Sequence, residues 1–78
     1  MIYAVRYNHT GTIFSENMTS AKTAVREEAA RVQGNADAAS AVVFVLADDG
    51  IYAYLRQDEA DADDTGATAF AVISSGDH

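Results

Sequence analysis

The chain has no cysteine, which excludes disulfides and thiolate metal sites, the usual staples of a very small domain. At 78 residues there is room for a single domain spanning 1–78, and a domain of this size buries only about 60% of the surface its unfolded chain exposes. The core must therefore hold by packing alone, helped by self-association. Long apolar runs are also missing. The longest, Ala41 to Ala47, falls far short of the roughly 20 residues that a membrane span requires, so no membrane association is expected. Met1 to Tyr7 alternates from the start, without the basic stretch and apolar run of a secretory signal. A cytoplasmic location is the expectation, and it suits the lack of cysteine.

Basic residues are scarce. Five Lys and Arg stand against twelve Asp and Glu, for a net charge of -7. The imbalance is polarised along the chain. Residues 1–36 carry Arg6, Lys22, Arg26 and Arg31 against Glu16, Glu27 and Glu28, a net of +1, whereas residues 37–78 set Arg56 alone against nine acids, a net of -8. A field of that kind repels nucleic acid and attracts basic surfaces, so direct nucleic-acid binding is disfavoured.

What is present is a clear alternation of periods. Tyr3, Val5 and Tyr7 face one way and Ile2, Ala4 and Arg6 the other, the period of a strand. His9-Thr10-Gly11 interrupts it as a turn, and Thr12 to about Asn17 is expected to return as a second strand. Thr19 or Ser20 is placed to cap a helix running to about Gln33, with Gly34 as its stop. Ala21, Ala24, Val25, Ala29 and Val32 make a narrow stripe on that helix, and Glu27 and Arg31 form an i,i+4 pair. Because the stripe is mostly alanine, the sheet must supply most of the buried area.

After a small-residue loop, Asn35 to Ser40, the run Ala41 to Ala47 reads as a strand buried on both faces and as the centre of the sheet. Asp48-Asp49-Gly50 has the chemistry of a tight hairpin turn, and Ile51 to Arg56 returns in alternation. Gln57 to Gly66 is too charged for a core and is expected to be a solvated loop, with Ala67 to Ile73 as the last strand. The whole is an α+β fold, a single antiparallel β-sheet with one α-helix packed on one face, in the order β-β-α-β-β-β.

The motifs point away from catalysis. His9 lies in a turn and His78 at the carboxyl end. Neither has a nucleophile patterned beside it, and no glycine-rich phosphate loop precedes the helix, so enzyme activity and a cofactor are not expected. Asp61-Ala62-Asp63-Asp64-Thr65-Gly66 begins like a calcium loop, but position twelve would be Val72 instead of the closing glutamate. No specific metal site is expected there. The seven aromatic residues mostly fill the core that the alanine helix leaves thin, although Tyr52 and Tyr54, on the face opposite Ile51 and Ala53, suit a protein interface.

The starting strand Ile2-Tyr3-Ala4-Val5, the helix Ser20 to Gln33 and the hairpin Val42 to Arg56, with its Asp49-Gly50-Ile51-Tyr52-Ala53-Tyr54 turn and return strand, give a layout that resembles the small phage-encoded anti-CRISPR proteins. The resemblance covers size, acidity, absence of cysteine and the arrangement of a few strands around one helix. It implies a stoichiometric, non-catalytic inhibitor, acting in the host cytoplasm, that binds a type I CRISPR surveillance complex and keeps target DNA from it. On that reading Asp48, Asp49, Asp58, Glu59, Asp61, Asp63 and Asp64 mimic phosphates and, with Tyr52 and Tyr54, occupy a basic groove on the partner, the protein itself being a monomer or weak dimer. The alternative is a small structural or regulatory protein of a salt-adapted cell that docks through its sheet face. Polarised charge favours the first, since salt adaptation spreads acids over the whole surface, whereas the helix carries Lys22, Arg26 and Arg31.

Overall fold

A computed structural model of the chain describes residues 2–63 and 66–76. It contains five strands, β1 (Tyr3–Tyr7), β2 (Thr12–Ser15), β3 (Val43–Ala47), β4 (Gly50–Tyr54) and β5 (Ala71–Ser75), and three helices, α1 (Met18–Gln33), α2 (Ala38–Ala41) and α3 (Gln57–Ala62). The strands form one antiparallel sheet in the spatial order β2-β1-β5-β4-β3. The architecture is α+β, with the strand and principal-helix order expected from the periodicity.

Register explains the core. Val5 on β1 lies opposite Ile73 on β5, which lies opposite Ile51 on β4. One pair further along, Tyr7, Ala71, Ala53 and Phe44 form a second row across four strands. These rows point to the same face because side chains on a strand alternate. Helix α1 closes that face with Ala21, Val25 and Ala29, all fully buried. Small side chains at the contact let the helix axis approach the sheet closely, and the larger strand residues then fill the volume.

Asn17 caps α1, its side chain accepting from the Ser20 amide at 2.8 Å, so the helix starts earlier than the Thr19 or Ser20 cap expected. At the other end Gly34 takes φ 66° and returns its amide to the carbonyls of Ala30 and Arg31, the left-handed stop that glycine adopts without penalty.

Further expectations are corrected. The run Ala41 to Ala47 does not form the centre of the sheet. Its strand is β3, an edge, with Val45 and Leu46 exposed, and the centre is β5, which inserts between β1 and β4. The second strand stops at Ser15, and the last strand begins at Ala71 and continues to Ser75. Two short helices, α2 and α3, stand where loops were expected. At the hairpin turn the positive φ falls on Gly50. Among the described residues only Gly34, Gly50 and Gly66 have positive φ, and Gly50, at 152°, is forced by contact, since a Cβ there would meet the Ile73 carbonyl oxygen at 2.4 Å.

Candidate functional site

Two acid-bearing elements flank β4. The β3–β4 hairpin turns at Asp48 and Asp49, where β4 begins, and α3, which follows the other end of β4, carries Asp58, Glu59 and Asp61 and packs against β4 and β3. Helix α3 forms from a segment without large apolar residues because its polar groups serve one another. Gln57 donates to Asp61 at 2.9 Å, and Arg56 donates to Glu59 at 3.1 Å and stands 3.5 Å from Asp58. Acids in the first turn also suit the positive end of the helix dipole.

Tyr52 on β4 joins the turn to the segment that follows α3. Its hydroxyl donates to Asp49 at 2.7 Å, and the backbone at Gly66 rests on its ring, where a Cβ would come 2.7 Å from two ring atoms. The Tyr52 phenol is raised above its ordinary value of 10.0, first by the hydrogen bond to Asp49, then by desolvation, then by the charges of Asp49, Asp63 and Asp48. The direction of that shift reports a negative potential to which the turn and the segment after α3 both contribute.

Not every expected contact residue is at the surface. Tyr54 is 1% exposed, and its hydroxyl reaches the Asp63 carboxylate at 3.0 Å and the Asp63 carbonyl at 3.3 Å. The same carboxylate oxygen accepts from the Thr68 amide at 2.9 Å and the Thr68 hydroxyl at 3.0 Å. Tyr54 and Asp63 therefore pin the segment after α3 onto the sheet, because a part-buried phenol needs an acceptor, and their place is in the packing instead of at a contact surface. Asp64 lies outside the described residues, as do Thr65 and His78. The calcium-like segment is thus described only in part, and among the described residues no group of three or more His, Asp or Glu could hold a metal ion. Asp48, Asp49, Asp58 and Asp61 are exposed, and Glu59 is half-buried.

A second cluster was not legible as a unit in the sequence. His9, at the β1–β2 turn, stacks on Phe70 with ring centroids 5.2 Å apart and meets Tyr7 edge-on at 5.6 Å. Its Nε2 lies 2.9 Å from Glu28 on α1, and Glu28 also accepts from both Nε and a terminal nitrogen of Arg31. Glu28 is held down at about 2, first by the hydrogen bond from Arg31 and then by that from His9, while burial and the Glu28 charge raise the Tyr7 phenol. Arg31 pairs with Glu28 in place of the expected Glu27, since the bidentate i,i+3 geometry also serves His9. Beside this cluster an open groove of about 520 Å³ runs between the hairpin and the helix, lined among others by Thr10, Gly11, Ile13, Ala24 and Glu27. The cluster's evident work is to fasten the β1–β2 turn to α1. The only sequence signal for it was the lone turn histidine.

Searches of family models, curated proteins and solved structures found no match to the chain.

Proposed function

We propose that the protein is a non-catalytic binding protein that presents an acidic surface to a basic, phosphate-binding surface of a nucleic-acid-handling partner, and so keeps nucleic acid from that surface. The observation that carries the reading is the set of exposed acids on the two elements that flank β4, Asp48 and Asp49 at the turn before it and Asp58 and Asp61 on α3 after it. Arg56 is the single Lys or Arg in residues 37–78. Arginines that ordinarily hold phosphate pair as well with carboxylates, in bidentate, charge-assisted hydrogen bonds. Opposite fields also speed the encounter and make it sensitive to salt. The resemblance of the sequence in size, acidity and layout to anti-CRISPR proteins makes a type I CRISPR surveillance complex the partner to test first.

The variant to use is Asp58→Asn, Glu59→Gln and Asp61→Asn together, because these side chains lie on α3 and leave the Asp63 pin intact. Tagged wild-type protein is expected to capture the surveillance complex at low salt and release it at high salt, and the triple variant is expected to fail at both. If the variant captures the complex with unchanged salt dependence, the acids of α3 are not the contact, and docking through the sheet face takes their place.

A further inference from the structure

We infer that β3 is a self-association edge, through which two copies of this chain join antiparallel about a two-fold axis and extend the sheet from five strands to ten. The strand is Val43-Phe44-Val45-Leu46-Ala47, with no polar side chain in it, no proline and no lysine, so it lacks the devices by which edge strands are ordinarily kept from pairing. Leu46 is 84% exposed, the highest value among the large apolar residues described as exposed. The opposite edge, β2, is one residue shorter and has polar residues at both ends, Thr12 and Ser15, around the exposed Ile13 and Phe14.

The pairing with β4 fixes which groups are free. Ala47 lies opposite Gly50 across the two-residue turn, Val45 opposite Tyr52 and Val43 opposite Tyr54. In such a hairpin these pairs exchange the ladder bonds, and the peptide groups of Phe44 and Leu46 between them point outward. Of the antiparallel two-fold registers that set these outward groups opposite one another, the one that also brings opposite charges together is centred on Val45. Phe44 then lies opposite the other copy's Leu46, Leu46 opposite its Phe44, and Val42 opposite its Asp48.

Charge closes the same arrangement. Lys22 and Arg26 on α1 stand over the Phe44 ring at 5.3 Å and 5.0 Å, and among the described residues no carboxylate pairs with either. Asp48, at the other end of β3, is exposed and forms no ion pair among the described residues. Within one copy the cations and Asp48 belong to opposite ends of the strand. The two-fold brings Asp48 of each copy alongside Val42 and Phe44 of the other, next to Lys22 and Arg26. It pairs both sets twice, which is the self-complementarity that an isologous interface requires. Tyr52, Tyr54 and the segment after α3 that covers them lie on the other face of the sheet from α1, so this pairing engages Asp48 but leaves the α3 acids open, and the α3 variant used above leaves its seam unchanged.

The test is the mass in solution of wild type, Leu46→Lys, Asp48→Lys and the charge swap Asp48→Lys with Lys22→Asp, by sedimentation over a range of concentrations. Wild type is expected to dimerise with rising concentration. Leu46→Lys and Asp48→Lys should stay monomeric at concentrations where wild type is dimeric, both positions being exposed so that folding is untouched, and the swap should recover the dimer. Hydrogen exchange supplies a second reading, in which the Phe44 and Leu46 amides gain protection with concentration and those of β2 do not. A wild type that is monomeric throughout, a dimer indifferent to Leu46→Lys, or protection gained on β2 instead would each overturn the proposal.

Discussion

Glu28 is the residue where the chain's charge and its fold meet most directly. Its carboxyl ordinarily titrates at 4.5 and is lowered here to about 2 by Arg31 and then His9. A lowered folded value means that the ionised form stabilises the fold above pH 4.5. As pH falls, the unfolded chain takes up the proton first, so the contribution declines from about 4.5 and is gone below about 2. Thermal melts of wild type and Glu28→Gln across that window are expected to show wild type higher at neutral pH and the gap closing as the medium is acidified. A gap of constant size would mean that Glu28 contributes shape and not charge. Asp63 shows the other use of a carboxylate. It accepts from Tyr54 and Thr68 and is spent within the fold, so acids that look equivalent in the sequence divide into those that hold the chain and those left to face outward.

Among the elements, α1 sets the most exacting constraint. Ala21, Val25 and Ala29 are fully buried against β1 and its neighbours, and the closeness of that contact depends on side chains of one or three carbons. Ala29→Leu is expected to lower stability by about 1–3 kcal/mol, since added methylenes in a packed contact force rotamers and backbone aside. The midpoint of urea denaturation measures it, and a midpoint at or above that of wild type would show slack between helix and sheet. The helix and its alanine face were legible in the sequence because their period runs through the whole element and Gly34 ends it. β1 and β4 were legible by alternation. β3 was recognised as a strand, but its apolar run was taken for a buried one, because a run of five to seven apolar residues has the same pattern at an edge as at a centre. What decides between them is the arrival of β5, a contact that no local pattern encodes. α3 was missed because it is held by Gln57–Asp61 and Arg56–Glu59 pairs and by packing on β4, without an apolar stripe of its own. Of the candidate site, the acids of the turn and of α3 were legible as a group from charge alone. The burial of Tyr54 and the link from His9 to Glu28 depend on tertiary contacts and were not.

For the molecule as a whole, charge is divided between the two parts of the chain. Residues 37–78 hold nine of the twelve acids, and α1 holds three of the five basic residues. Repulsion among the acids of residues 37–78 acts over about the 10 Å that separates screened from unscreened charges at 0.1 M salt. Added sodium chloride is therefore expected to raise the melting temperature of the wild type, and the triple variant Asp58→Asn, Glu59→Gln and Asp61→Asn to flatten that rise, both measured at a dilution that keeps the protein monomeric. An equally steep rise in the variant would locate the salt effect in apolar burial, which excluded ions also strengthen.

The central position of β5 has a consequence in time. β1 with β2 and β3 with β4 are hairpins whose partners are neighbours in the chain, able to close as soon as each is made. The strand that must lie between them is the last of the five to leave the ribosome, and until it does each hairpin presents an open edge on the side where β5 will bind. Synthesis thus passes through a stage in which the two halves of the sheet are ready but not joined, and any foreign strand met then competes for the seat that β5 later fills.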